Sequence, residues 1–169
     1  MNAPKVSIGL VNPKSPTNVG AVLRAAGCFQ ADAVFYTGER YDRAERFHTD
    51  TQNRSLAIPL QRVNDLVSDA PESAKIICVD LVDGAIALTE FEHPEEAIYI
   101  FGPEDGTISQ AVIDQADAVV YIPANGCLNL AATVNVVLYD RMSKTEHQLA
   151  TNEQVLAIRD KNNRVRVKS

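Results

Sequence analysis

Apolar residues in this chain gather in short runs that stop at Pro, Gly or Asn, and these runs alternate with stretches whose apolar positions recur at helical spacing. Val6 to Val11 mixes Val, Ile and Leu with small residues and ends before Pro13, which predicts a buried strand. Val19, Val22, Leu23, Ala26 and Phe29 then mark one helix face, with Thr17 or Asn18 as its cap and an end near Gln30. Ala33 to Tyr36 is the next strand. Thr37 to Arg54 is polar without a clear period, a place for a substrate loop. Ile58 falls in a short extended piece, and Leu60, Val63, Leu66 and Val67 predict an amphipathic helix that ends before Pro71.

Lys75 to Leu81 and Ala97 to Phe101 are strongly apolar and predict central strands. A short helix from Ser109 to about Ala116 and a last strand from Val119 to Ile122 follow. Leu130 to Met142 has helix-forming content but is apolar on nearly every side, so it requires protein cover all round, which a partner subunit can supply. The alternation of strands and helices predicts an α/β fold with a mostly parallel sheet and helices on both faces.

Three polar, Gly-bearing loops each follow a predicted strand. They are Asn12-Pro-Lys-Ser-Pro-Thr-Asn-Val-Gly20 running into Arg24, Phe101-Gly-Pro-Glu-Asp-Gly106, and Ile122-Pro-Ala-Asn-Gly-Cys-Leu-Asn129. Ligands of open α/β sheets bind beyond the carboxyl ends of strands, so the three loops are expected to form one composite site. In the first, a helix start at Asn18-Val-Gly20 offers free N–H groups to an anion such as RNA phosphate, and Arg24 stands one turn beyond Gly20 on the face that Gly20 leaves open. In the second, Gly102 leaves room for close approach. Glu104 either fixes the loop by accepting N–H bonds or orients a substrate group, and Asp105 reads as solvated. In the third, Asn129 is a natural cap for the buried helix, while Pro123 and Gly126 keep backbone groups available to a flat ligand such as adenine; Leu128 and Leu130 are core or pocket wall.

Charge and composition narrow the picture. The 169 residues fit one domain, and their 46% hydrophobic content suffices for a core. Apolar runs fall short of a membrane span and the N-terminus carries no secretion signal, so the expected compartment is the cytoplasm. Cys28, Cys78 and Cys127 form no C-x-x-C pair and read as small core or pocket residues, without disulfide or zinc. The net charge is −6, yet residues 141–169 hold seven Lys/Arg against three Asp/Glu. This basic tail, from about residue 143 to 169, either follows a phosphate backbone or is a solvated terminus. The glycine spacing fits neither the Rossmann nor the Walker pattern, and His48, His93 and His147 are scattered, so dinucleotide sites, hydrolytic triads and metal centres gain no support.

Taken in order, N-x-G-x-x-x-R at Asn18 to Arg24, F-G-x-E at Phe101 to Glu104, and I-P followed by L-N-L at Ile122 to Leu130 resemble the SPOUT superfamily, most closely the TrmH/SpoU-type RNA ribose 2′-O-methyltransferases. The resemblance runs from about Val6 to Met142. It implies a single SPOUT methyltransferase domain over 1–169, with a C-terminal trefoil knot that binds S-adenosylmethionine. It places the cofactor pocket at Asp80, Leu81, Gly102, Ile122 and Leu128, largely through backbone groups. It also implies a homodimer in which Arg24 completes the partner's site, with Asn18, Glu104 and Asn129 holding the ribose or the loops. Compact members of the family act on tRNA, which makes tRNA the expected substrate, recognised by the dimer surface. Two departures stand out. Gly106 follows Asp105 at once, where the family often has a longer loop, and Ala124 and Cys127 occupy positions where the family commonly has Met and Ser. A base-methylating SPOUT enzyme and a non-catalytic dimeric RNA-binding protein are therefore the alternatives.

Overall fold

The computed structural model describes residues 5–46, 58–145 and 151–169. Seven strands form one sheet: β1 (Val6–Leu10), β2 (Ala33–Tyr36), β3 (Leu60–Arg62), β4 (Lys75–Val79), β5 (Ile86–Ala87), β6 (Ala97–Phe101) and β7 (Ala118–Tyr121). Their order is β3-β2-β1-β6-β4-β7-β5, and every neighbouring pair is parallel. Leu10 and Val79 both pair with Phe101, so β1, β6 and β4 end level with one another, and the chain leaves all three on the same edge of the sheet.

Parallel strands are covered on both faces, and the alternation of side chains sorts them. Ile8, Leu10, Ile77, Val79, Tyr99, Phe101 and Val120 face α1 (Pro16–Cys28) and α4 (Leu130–Lys144), which contribute Val19, Val22, Ala26, Val134, Val137 and Leu138. Ile76, Cys78, Ile98 and Ile100 face the other way, toward Leu66, Ile108 and the partly buried Val112 and Ile113 of α3 (Gln110–Asp114). All five residues of β6 are buried. Each large apolar side chain removed from water contributes roughly 1.5–3 kcal/mol. No helix of the described residues is long and apolar enough to cross a membrane.

Five expectations need correction or completion. The cap of α1 is Ser15, whose Oγ accepts from the Asn18 amide, because Pro16 supplies a ready first helical position. The segment from Leu60 to Val67 is not a helix. Leu60–Arg62 instead pairs with β2, and the Asp65 and Asp69 carboxylates accept the amides of Val67, Ser68, Asn64 and Asp65, folding the next residues into a turn. That turn still sends Leu66 into the core, which is why the apolar spacing looks helical. The polar stretch after Thr37 contains α2 (Arg40–Glu45), and its part beyond residue 46 lies outside the described residues. The tail contains α5 (Asn152–Ile158), closed by a capping box between Thr151 and Gln154, with every residue exposed. Of the cysteines, Cys78 is buried but Cys28 is exposed, so the latter is not a core residue.

A buried polar network fastens α4 to the sheet. The fully buried His93 side chain bonds the Tyr99 hydroxyl through Nδ1 and the Asp140 carboxylate through Nε2, each at 2.7 Å. Arg141 donates to the Tyr99 hydroxyl at 2.9 Å and to the carbonyls of Pro94 and Glu95. Burial, the largest influence, pulls the imidazole pKa down against the opposing pull of Asp140. A neutral ring donating from Nε2 and accepting the Tyr99 proton at Nδ1 satisfies every partner. Removing the hydroxyl in Tyr99→Phe leaves Nδ1 without a donor. The expected cost is about 1–3 kcal/mol in a urea titration, and a variant within about 0.5 kcal/mol of the parent contradicts this account.

Candidate functional site

Beyond the carboxyl ends of β4, β6 and β7 lies a cavity of about 340 Å³. Its wall comes from all three loops and from the residues that follow β4. Asn18, Asp80, Leu81, Gly102, Glu104, Ile122, Leu128 and Asn129 line it, eight of the nine residues singled out from sequence. Val79, Pro103, Tyr121, Ala124, Cys127 and Thr133 line it too. Of these, Thr133 carried a legible signal: it is a hydroxyl in an apolar helix one turn after Asn129, and its Oγ1 donates to the Asn129 carbonyl at 2.8 Å.

Arg24 is the ninth and does not line the cavity. It sits exposed on α1, its side chain without a hydrogen bond or ion pair among the described residues. Nothing stands within 4 Å of where a Cβ on Gly20 would lie, so the helix face one turn before Arg24 is open.

The loops are joined to one another. The Glu104 carboxylate accepts from the backbone amides of Lys14 at 3.0 Å and Ser15 at 3.4 Å, and from Asn18 Nδ2 at 3.2 Å. Burial is the largest single influence on this carboxyl and raises its pKa, but bonds from its own amide, Asn18, Lys14 and Ser15 together outweigh it and hold the group below its ordinary value. Of the two readings of Glu104, fixing a loop is the one these bonds describe, and the loop it fixes is the first one. Asp105 beside it is not merely solvated: its two oxygens meet the two terminal nitrogens of Arg40 at 2.8 and 3.0 Å.

Asp80 also serves the scaffold. Its carboxylate accepts from the amides of Leu81 at 2.8 Å and Ile108 at 3.0 Å, drawing the end of the second loop toward β4. The close approach that Gly102 permits is that same segment, since a Cβ there would stand 3.3 Å from the Ile108 nitrogen. Asn129 caps α4 by accepting from Ala132 at 2.8 Å. In front of it, the amides of Ala124 to Leu128 make no hydrogen bond among the described residues, so this stretch presents unpaired backbone donors beside the cavity. The arrangement suits a small ligand with an apolar body, seated against Leu81, Ile122, Leu128 and Leu130, and with polar edges met by main-chain groups. Among the described residues no group of three His, Cys, Asp or Glu side chains is placed to hold a metal ion.

Comparison with known proteins agrees with this layout. Residues 5–139 match the model of the SpoU rRNA methylase family. An uncharacterised tRNA/rRNA methyltransferase of Mycobacterium sp. strain KMS is 28% identical over 144 residues, which cover 80% of this chain and 46% of that protein. The tRNA (cytidine-2′-O-)-methyltransferase TrmJ of Sulfolobus acidocaldarius is 21% identical over 161 residues, 86% of this chain and 68% of that protein. The chain thus spans just under half of the first of these relatives. An AdoMet-bound rRNA methyltransferase from Sinorhizobium meliloti shares the fold with a TM-score of 0.68 at 20% identity, over 88% of this chain and 59% of that one. With the family match running from before β1 into α4 and taking in all three loops that build the cavity, the chain belongs to the SpoU rRNA methylase family.

Proposed function

We propose that this protein is an S-adenosylmethionine-dependent RNA methyltransferase that acts on a ribose 2′-hydroxyl, with tRNA as its substrate class, and that it works in the cytoplasm as a homodimer. The observation that carries the reading is the convergence of residues from three separate loops on one cavity, in a chain of this family. The name of the TrmJ relative supports both the ribose and the tRNA.

The residues present fit the cofactor. A cavity of about 340 Å³ lies within the usual range for small-molecule sites. Leu81, Ile122 and Leu128 supply apolar walls, Gly102 and the free amides of Ala124 to Leu128 supply main-chain contacts, and Asp80 holds the rim in place. When bound, S-adenosylmethionine supplies an activated methyl on a sulfonium. The protein's own task is orientation, worth about 7–11 kcal/mol in favourable systems. Asn18 and Asn129 present side-chain amides beside the cavity for the ribose, and Glu104 keeps Asn18 in place. A guanidinium is a poor proton acceptor but a good partner for phosphate, so Arg24 positions the ribose-phosphate and stabilises the developing alkoxide. Exposed on α1 and away from its own cavity, Arg24 is available to a second copy. The exposed Val136, Tyr139 and Met142 of α4 offer that copy an apolar face. The trefoil threading implied by the resemblance belongs to the same proposal.

The test is to incubate the purified chain with labelled methyl donor and total tRNA or rRNA, then identify the methylated nucleoside by mass spectrometry. A 2′-O-methyl nucleoside from tRNA is the expected product. A base-methylated nucleoside instead points to the base-methylating alternative. Binding of donor and RNA without transfer points to the non-catalytic one, which Ala124 and Cys127 on the cavity wall keep in view.

The tail is part of the same reading. Lys161, Arg164, Arg166 and Lys168 form no ion pair among the described residues, in contrast to Lys5, Arg40, Arg43, Arg62 and Lys75 of the body. Deleting residues 151–169 is expected to weaken RNA binding and to flatten the plot of log affinity against log salt by about 2–4 units of slope, since each neutralised phosphate contributes about 0.7–0.9. An unchanged slope removes the tail from the RNA interface.

A further inference from the structure

One guanidinium outside the cavity holds two of its loops at once. We infer that Arg40 is a positioning residue for methyl transfer: from α2 it locks the second loop, which walls the cofactor cavity, to the first loop, which carries Asn18. The inference rests on the reading of the cavity given above.

The geometry is that of a three-point clamp. Arg40 Nη1 meets Asp105 Oδ2 at 2.8 Å, Nη2 meets Oδ1 at 3.0 Å, and Nη2 also donates to the carbonyl of Asn12 at 2.6 Å. A planar fork does this and a lysine ammonium does not, because two parallel bonds to one carboxylate need two coplanar nitrogens. The receiving end is shaped for it. Asn12 adopts φ 42°, its amide donates to Thr37 Oγ1 at 3.2 Å, and its side chain occupies the place where a Cβ on residue 38 would project, so Gly38 at φ 82° is required there. Thr37 is itself bound through its amide to the Leu10 carbonyl, so the turn that leads into α2 is anchored to the end of β1.

The neighbouring carboxylate completes the device. Glu104 grips the first loop at Lys14, Ser15 and Asn18, while Asp105, through Arg40, grips it at Asn12. The first loop is therefore held at both ends by consecutive carboxylates of the second. Pro103, Glu104 and Gly106 line the cavity on either side of Asp105, so freedom at Asp105 becomes freedom in the cavity wall. The Arg40 and Asp105 side chains are 30% and 51% exposed, and a pair that open contributes little to global stability. Its effect falls on loop order instead.

The test uses the full chain and the variants Arg40→Ala, Arg40→Lys, Asp105→Asn and the double variant Arg40→Ala/Asp105→Asn. Amide hydrogen exchange without ligand is expected to quicken at residues 12–18 and 103–108 in Arg40→Ala while β1, β4 and β6 keep their protection. S-adenosylmethionine affinity by calorimetry is expected to fall about tenfold in Arg40→Ala, with Arg40→Lys intermediate and the double variant no worse than Arg40→Ala, because Asp105 grips the first loop only through Arg40. Unchanged exchange in both loops overturns the inference. So does parental affinity and turnover in Arg40→Ala, or losses that multiply in the double variant. A parent chain that binds no methyl donor sinks the reading of the cavity, and the exchange experiment tells that failure apart because it needs no ligand.

Discussion

Replacing Arg24 by Ala is expected to lower methyl transfer by about 10²–10³-fold while leaving S-adenosylmethionine affinity within about twofold of the parent, the pattern of a group that meets charge developing in the transition state and not the bound cofactor. The position of Arg24 gives the reason. It lies on the exposed side of α1, whereas the walls that would hold the cofactor come from the ends of β4, β6 and β7. Arg24→Lys should recover only part of the loss, since a single ammonium does not reproduce a planar fork on phosphate. Mixing makes the experiment sharper. If the arginine serves the neighbouring subunit, combining Arg24→Ala chains with chains whose cavity is blocked by Leu128→Arg should regenerate activity, because each mixed dimer then contains one complete site. With random pairing, about a quarter of the parental sites return. No recovery on mixing, with both variants folded and dimeric, places the arginine within its own subunit. Equal loss of binding and turnover in Arg24→Ala removes it from the chemistry altogether.

The second large effect is expected at Glu104. Its carboxylate joins the first loop to the second through two main-chain amides and the Asn18 side chain. Glu104→Gln keeps the shape but turns charge-assisted bonds into neutral ones and, in either amide orientation, sets a donor against the Lys14 amide. About a tenfold loss of turnover is expected, held to that size by the exposure of the group. The pH dependence follows from the direction of its shift. The folded-state pKa lies below the unfolded value, so the contribution of the carboxylate is complete above the ordinary Glu range, near 4.3, and fades as pH falls through the depressed folded value. Cofactor binding should therefore be insensitive to this group from about pH 5 upward and weaken only in stronger acid. Glu104→Gln should lack that acid-side loss. An identical acid limb in both proteins assigns it to another carboxylate.

Much of this architecture is legible in the chain. The strands β2, β6 and β7 are continuous apolar runs, and β1 and β4 are nearly so apart from Ser7, Gly9 and Lys75, because a parallel strand is buried on both faces, and Pro13, Gly102 and Pro123 punctuate their ends. The cavity residues are legible for a related reason. In such a sheet a ligand sits where strands end, and loops of Gly, Pro and Asn mark those places. What escapes is set by partners distant in sequence. Arg40 and Asp105 are 65 residues apart, so neither carries a local sign of the other, and Asp105 alone reads as a surface acid. His93 and Asp140 are 47 apart, and only the fold turns a scattered histidine into a buried hinge pin for α4. At β3 the failure is one of period. Leu60, Val63, Leu66 and Val67 satisfy a helical template, but the short strand and the Asp-capped turn direct apolar side chains to the sheet with the same spacing.

The pairing of β1 with β6 has a consequence for how the protein comes into being. Val6 lies beside Ala97, roughly ninety positions downstream, so a growing chain emerging from the ribosome carries its first strand with one flank bare until β6 has been made. Helix α1 likewise waits for α4 to seal its apolar side. The cavity cannot close before α4 has been made, and substitutions that loosen α4 should show first as poor yield of folded protein during expression, before any defect in the purified protein is measured.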